Sequence, residues 1–452
     1  MTDRRSKERI AIVGGGVLGM TMAHRLAQAG KNVTLFEAAK QMGGLASAWQ
    51  LGDIVWDRHY HVTLMSDTHT RGLLDELGLE RDMRWVQTKT GFYTDGAMHS
   101  MSSSLEFLKF APLGMVDKAR LAATIFYASK IKDWKRLEQV PVSDWLRKLS
   151  GERTFEKIWL PLLRAKLGEN YRDTSAAFIW TTIARMYAAR RSGLKKEMFG
   201  YVPGGYGRVL DTFSRQLFAE RVWMKTGNPI KEIRKQPTGH VTLHYGDDTR
   251  NNFDRVIVTA AAPAAERMVA GLEDNERARL KSIRYLGVIC ASVLMKRPLA
   301  GYYVTNITDS AIPFTGVIEM SALVDREEFG GNHLVYLPKY VSPDDPMFEH
   351  SDAEIENRFL TGLKKMYPDF HRSDVLAFKV SRVRHVVALP TMNYSALVPP
   401  MNSSIPGLYL VNSSQIVNGT LNVNESVQLA QVAATNLLAE RHERPVLIRK
   451  TA

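Results

Sequence analysis

The stretch IAIVGGGVLGMTMAHRLAQAGKNVTLFE, residues 10 to 37, constrains the fold more than any other part of this 452-residue chain. The apolar run Ile10 to Val13 reads as a buried strand. Gly14, Gly16 and Gly19 follow at G-x-G-x-x-G spacing, and a helix carrying Leu18, Met22 and Leu26 comes next, closed by Gly30. A second strand, Val33 to Phe36, ends on Glu37. This order is that of a dinucleotide-binding start, and each part has a mechanical reason. Gly14 permits the tight turn, Gly16 lets the backbone approach a pyrophosphate, and Gly19 lets helix and strand pack closely. The helix N-terminus, with Val17 and Leu18 in its first turn, offers amides and a positive dipole end to phosphates. Glu37 suits an adenosine ribose, and its charge repels a 2′-phosphate, which argues against NADP. On these residues NAD and FAD both remain open.

With 452 residues, the chain is long enough for two or three domains, and its 45% apolar and 24% charged content is ordinary for a soluble globular protein. No apolar run reaches the length of a membrane span, and the start MTDRRSKER lacks the apolar core of a signal peptide. A single cysteine, Cys290, excludes an internal disulfide framework and fits a reducing compartment, so a cytoplasmic location is expected. The net charge of +13 invites an oppositely charged partner. Its denser patches run from Lys118 to Arg136 and from Arg185 to Lys196. No nucleic-acid motif accompanies them, and nucleic acid is not expected as a partner.

Residues 101 to 198 look mainly helical. From 222 to 262 the pattern turns to strands, VWMKT, VTLHY and RVIVTA, separated by GNP, PTG and GDD turns. A helix near 263 to 283 leads to LGVICASVLMK and HLVYLPK, then a helix from about 352 to 367. The strand GLYLV and a helix from about 424 to 439 follow. No second G-x-G-x-x-G occurs, so a single dinucleotide is expected.

Seventeen residues separate Gly19 from Glu37, and the paired glycine Gly43-Gly44 follows in GGLASAWQLGDIVWDRHYH. At this point the chain resembles the amine oxidase superfamily of flavoproteins, most of all the branch with protoporphyrinogen oxidase and phytoene desaturases. The resemblance selects FAD over NAD. It implies that the backbone of Gly43, Gly44, Leu45 and Ala46 lies along the pyrophosphate and ribityl chain, with Ala38 beside Glu37 at the ribose. NPIKEI resembles the short strand that clamps the adenine, here with Pro229 and Ile230. FEKIWLPLLRAKLG and YVPGGYGRVLDTF match stretches typical of the branch. GLYLVNSSQIVNGTLNVNESVQLAQVAATNLL resembles the C-terminal strand, loop and helix that meet the flavin ring. That places Ser413 at the ribityl chain and Asn424, Ser426 and Val427 at the helix terminus. Where relatives carry Gly-Asp or Gly-Glu, this chain has Asn412 and Ser413, which makes that contact neutral or water-mediated. Cys290 falls inside a strand, so the FAD is expected to be non-covalent.

The fold class implied is α/β: a Rossmann-like FAD-binding domain with an inserted α+β substrate domain and a helical subdomain. The FAD-binding domain is expected to be discontinuous, over 8–60, 200–265 and 400–440. Residues 61–100 and 266–399 form the mixed-sheet substrate domain, and 101–199 the helical subdomain.

No Ser/His/Asp triad, zinc spacing or phosphoryl-transfer loop presents itself, and no metal is expected. The densest polar cluster is WDRHYH, Trp56 to His61, where relatives carry a histidine-containing loop beside the flavin. By that match His61 is the candidate base or hydrogen-bonding group near flavin N5, with His59 in place of a usual glycine. Tyr394, in RHVVALPTMNYSALVPP, is a further candidate to face the flavin. Trp145, Trp159 and Trp180 are expected to pack helices. The activity implied is oxidation of a C–N or C–C bond of a small organic substrate, with oxygen or a quinone reoxidizing the flavin.

The segment DKARLAATIFYASKIKDWKR, 117 to 136, has an apolar centre between basic ends. In membrane-associated relatives a helical excursion here receives a lipophilic substrate. Apolar residues go nearly all round this one, which favours a buried helix, with peripheral membrane contact as the second expectation. An alternative activity is a non-redox flavin isomerase resembling UDP-galactopyranose mutase, which suits the arginines Arg185, Arg190 and Arg191.

Overall fold

Five short strands pair in parallel in the order Trp223–Lys225, Asn32–Phe36, Arg9–Val13, Arg255–Val258 and Leu408–Leu410. The sheet therefore gathers pieces from the start, middle and end of the chain. The computed structural model describes residues 8–191, 198–417 and 419–440. The basic patch read from Arg185 to Lys196 runs out of the described residues, as do the side chains of Arg190 and Arg191.

Strand alternation divides the central strand between two cores. Ile10 and Ile12 face the helices Val17–Gln28 and Val423–Ala439 and pack with Met20, Leu26, Val427 and Ala430. Ala11 and Val13 face the other way, into a core with Ile233, Val241 and Leu243 of the antiparallel meander Ile230–Lys235, Val241–Tyr245 and Thr249–Phe253. Covered on both faces, such a strand must be apolar throughout, which is why it reads as an unbroken run.

A second, seven-stranded sheet has the order Val375–Ala388, Tyr285–Met295, His333–Val341, Gly316–Glu319, Val304–Ile307, Thr90–Thr94 and Ala97–Ser100. Only the Val304–Ile307 and Thr90–Thr94 pair runs parallel. Every residue of Tyr285–Met295 is buried. Ile289, Ala291 and Val293 point to a core with Phe359 and Leu363 of helix Asp352–Met366, and Cys290 and Leu294 point to the opposite face. Cys290 is accordingly a core side chain, its thiol pushed well up by burial.

The helices Ser104–Lys109, Met115–Ala128, Val142–Ser150, Leu160–Leu167 and Ala176–Arg191 build a separate core. Trp145, Trp159 and Trp180 are buried in it as expected, and Trp159 donates its indole N–H to Ser150 Oγ at 3.0 Å.

Two expectations need correction. The helix read over 263 to 283 is two helices, Ala262–Met268 and Asp274–Ser282. Gly271 between them takes φ +86°, and Glu276 reaches back to the Glu273 amide to start the second helix. The segment at 117 to 136 is not buried all round either. Leu121, Thr124 and Ala128 point inward, whereas Met115 and Val116 are 65% and 67% exposed and Phe126 56%. Among the described residues no helix is long and apolar enough to cross a membrane.

Candidate active site

The glycine turn after Val13 carries each of its three expected tasks in a measurable form. Gly14 takes φ +117°, a conformation that costs an L side chain dearly. A Cβ on Gly19 would lie 1.9 Å from the Gly14 carbonyl oxygen, so helix and strand touch there. A Cβ on Gly16 would meet nothing within 4 Å, so the backbone faces open space. Helix Val17–Gln28 begins at Gly16 with no side-chain cap, and its first internal bond is Met20 N–H to the Gly16 carbonyl. The amides of Val17, Leu18 and Gly19 precede that bond and point out of the helix end. Leu18's side chain is buried in the core, so only its amide is available there. Open space before uncapped amides is the geometry that takes a pyrophosphate.

The paired glycine closes over this turn. Gly43 bridges Gly16 in parallel and donates its amide to the Gly15 carbonyl at 2.8 Å. Gly44, Leu45 and Ala46 form a single 3-10 turn, with Ala46 buried. Glu37 accepts from Gly15 N–H at 2.6 Å and from Ala39 N–H at 2.8 Å, which fixes its carboxylate at the end of its strand. Ala38 is exposed next to it. The turn before Ile230 is tied to the same place, since Asn228 donates to the Glu37 carbonyl and Gly227 to that of Ala39. Pro229, exposed, and Ile230, half-buried, thus sit beside Glu37.

At the other end, Asn412 is fully buried. Its Oδ1 accepts from the Ser414 amide at 3.0 Å and hydroxyl at 2.7 Å, while its Nδ2 has no partner. An orphaned buried donor is costly, and one beside Ser413 suits an acceptor oxygen of a bound group.

The C-terminal helix differs in detail from its expected use. Asn424 Oδ1 accepts from the amides of His69 and Thr70, so its side chain caps the helix Thr68–Glu76. Ser426 donates its hydroxyl to the Asn422 carbonyl, and Val427 lies in the core. The Ser426 amide also donates to the Asn422 carbonyl inside the helix, so the backbone contact these three residues leave for a ligand is the first-turn amide of Asn424. Tyr394 is buried and donates its hydroxyl to the Ser414 carbonyl at 2.7 Å, which holds the loop after Asn412 and leaves the ring in the core.

His59 Nδ1 faces the Leu45 carbonyl at 3.0 Å and Nε2 faces Ser381 Oγ at 3.0 Å. A carbonyl only accepts, so Nδ1 carries the proton, and Nε2 accepts from Ser381, whose Oγ receives Arg58 Nε–H at 3.1 Å. Burial holds His59 down at about 4, with the Arg58 charge in support, so the ring is neutral.

His61 packs against Tyr206, ring centres 4.9 Å apart and planes tilted by 50°, and its Nδ1 has no hydrogen-bond partner. The nearest carboxylate, Asp57 Oδ2, is 3.9 Å away. Burial pushes Asp57 up to about 8, against the pull of the Tyr206 and Gly207 amides at the start of helix Gly205–Ala219. Burial, with the neighbouring His59 ring, holds His61 down at about 3. Near neutrality a group at about 3 is a weak base, and Asp57 is the better proton carrier of the two. The sequence reading passed over Asp57 and Tyr206. The signal was present, because Asp57 lies four residues before His61 in WDRHYH. Among the described residues no group of three or more His, Cys, Asp or Glu is gathered to hold a metal ion.

A parallel sheet opening onto uncapped amides, joined to a larger mixed sheet and a helical layer, is the α/β architecture of flavin-dependent oxidoreductases. The chain belongs to the flavin containing amine oxidoreductase family, whose model matches residues 19–438. It is therefore a flavin-dependent oxidoreductase. It is 22% identical to a zeta-carotene desaturase of Synechocystis sp. over 90% of this chain and 92% of that protein. A putrescine oxidase variant redesigned in its cofactor binding superposes with a TM-score of 0.76 at 17% identity, covering 96% of this chain and 99% of that one. A reduced UDP-galactopyranose mutase gives 0.74 at 15% identity, over 97% of each chain, which is a likeness of fold.

Proposed function

We propose that this chain holds one FAD non-covalently along the line from Glu37 past Gly16 and Gly44 to Ser413. It would dehydrogenate a C–N or C–C bond of an organic substrate. The observation that carries the reading is the open backbone at Gly16 before uncapped helix amides, closed over by Gly43. A flavin held there would supply the hydride-accepting chemistry at N5, with oxygen or a quinone as the final electron acceptor. The chain's own part is to seat, orient and manage protons. Glu37 would hold the ribose, the amides of Val17, Leu18 and Gly19 the pyrophosphate, and Asn412 Nδ2 an oxygen of the ribityl chain. His59 positions the Gly44–Ala46 turn through Leu45, and Asp57 with His61 holds one exchangeable proton beside Tyr206. In the same proposal the parallel sheet serves as the FAD domain, the seven-stranded sheet as the substrate domain and the helices 104–191 as a third part. The outward apolar face of helix Met115–Ala128, rimmed by exposed Lys109, Lys130 and Lys132, supports docking on an anionic bilayer and a lipophilic substrate.

The test is the absorption spectrum of the purified chain before and after acid precipitation. Flavin bands near roughly 370 and 450 nm that move to the supernatant as FAD are expected. Colour kept in the pellet overturns the non-covalent part, and a colourless chain that takes up no FAD overturns the whole. Consumption of an electron acceptor during turnover separates this activity from a non-redox isomerase, which consumes none.

A further inference from the structure

Lys166, near the end of helix Leu160–Leu167, holds its ammonium 5.6 Å from the centre of the Phe178 ring and 5.8 Å from that of Tyr340. It is half-buried, and among the described residues no carboxylate pairs with it. Ring faces attract an ammonium but replace little of the water it loses. Burial, followed by the charge of Arg185, accordingly pulls its pKa down. Arg185 is itself committed to Asp67 through Nη2, at 2.9 and 3.1 Å from the two carboxylate oxygens. Glu425 lies within the field of Arg185 and Asp67. The local acids therefore gather about Arg185 and leave Lys166 without an anion.

This cation stands at the chemically active end of the molecule. The Tyr340 hydroxyl is 3.0 Å from that of Tyr60, which sits in the chain between His59 and His61. The Tyr206 ring that packs on His61 also feels the charges of Asp67 and Arg185. A purely structural lysine would be expected to reach a carboxylate or extend into water. Here the ammonium is kept among aromatic rings.

We propose that Lys166 is an anion-binding subsite for a carboxylate or phosphate carried by the substrate, whose apolar part packs on Phe178, Tyr340 and Tyr60. The inference rests on the reading of the His61 end as the place of flavin chemistry. It assigns the substrate to amphiphiles with an anionic head, and it excludes a bare hydrocarbon.

The test uses the full chain reconstituted with FAD, with benzoate and inorganic pyrophosphate as probes and calorimetry as the readout. Wild type should bind at least one probe saturably, more weakly as salt rises. Benzoate alone would indicate a carboxylate head and pyrophosphate alone a phosphate. Lys166→Met should weaken binding at least tenfold, and Lys166→Arg should restore it to within about threefold. Thermal melts of both variants separate this from loss of fold, and the arginine variant keeps the test decisive if the methionine one unfolds. Equal affinity in Lys166→Met, no recovery in Lys166→Arg, or no saturable binding of either probe by wild type overturns the subsite. Flavin content is read separately at the visible band, so a chain that binds the probes but no FAD sinks the flavin reading alone.

Discussion

His59 Nδ1 donates to the carbonyl oxygen of Leu45 at 3.0 Å, and with the Arg58 amide on the Ser47 carbonyl at 2.9 Å this bond ties the strand end after Asp57 to the turn that closes over the glycine loop. The other ring nitrogen is occupied by Ser381, so His59 is a positioning residue with no nitrogen left for substrate. His59→Ala leaves the Leu45 carbonyl unpaired, at a cost of about 1–3 kcal/mol. Melting of the apoprotein should drop by several degrees, and the Kd for FAD should rise roughly tenfold. A fall in kcat with unchanged FAD affinity would instead make His59 part of the chemistry.

Gly16 and Gly19 lie three residues apart, yet alanine should act on them in opposite ways. At Gly19 the new Cβ meets the Gly14 carbonyl at 1.9 Å, and overpacking of this kind costs about 1–3 kcal/mol of stability or more. At Gly16 it meets nothing, so the melting temperature of the apoprotein should stay unchanged. The methyl group instead enters the open space that the proposal gives to the pyrophosphate, and FAD binding should weaken at least tenfold, about 1.4 kcal/mol. Differential scanning fluorimetry and a flavin titration on both variants check this.

The Asp57 and His61 pair gives a signed pH dependence. Asp57 titrates at about 8 in the folded chain and near its ordinary value, about 3.9, when unfolded. Its contribution to stability is complete below about pH 4 and is lost as the pH rises through 8. His61 works the other way. Held at about 3 when folded, it contributes fully above about pH 6.5 and loses stability as the pH falls toward 3. Between about pH 6.5 and 8 only the Asp57 slope remains, approaching 1.4 kcal/mol per pH unit at most. Urea midpoints of the apoprotein should fall across that window, and Asp57→Asn should flatten the fall. A midpoint that rises there in wild type would contradict the assignment.

The parts of the site legible in the sequence are those whose mechanics are local. Gly14, Gly16 and Gly19 work within one turn, and Glu37 ends the strand that follows, so spacing alone exposes them. Asn424 stands in the first turn of its helix as read, but its side chain answers to His69, 355 positions away in the chain, which no local spacing shows. A residue at a helix start looks the same in sequence whether it serves a ligand or another helix. Lys166 went unread for a similar reason, since its aromatic neighbour Tyr340 comes from a strand of the second sheet. The break between Ala262–Met268 and Asp274–Ser282 was visible as a lone glycine, Gly271, but good helix formers on both sides of it concealed the break.

Helix Met115–Ala128 misled for a physical reason that also yields a prediction. Beside the buried Lys118, its inward residues Leu121, Thr124 and Ala128 are apolar or small, and so are the outward Met115, Val116, Ala119, Ala122, Ala123, Phe126 and Tyr127. Periodicity cannot show which stripe faces the protein when both are apolar. Six of the thirteen large apolar side chains exposed among the described residues fall between Leu105 and Tyr127, a concentration that marks an interaction face. Exposed Lys109, Arg120, Lys130 and Lys132 accompany it and favour an anionic surface over a second copy carrying the same charge. Val116→Ser with Phe126→Ser removes two exposed side chains and should leave the melting temperature unchanged. Each such side chain contributes about 1.5–3 kcal/mol when fully buried in an apolar phase. Sedimentation with vesicles containing a third acidic lipid should therefore fall at least tenfold in the double variant, and wild-type binding should weaken in high salt. A wild-type chain that ignores such vesicles yet dimerizes through this face, with the double variant monomeric, would assign the surface to self-association instead.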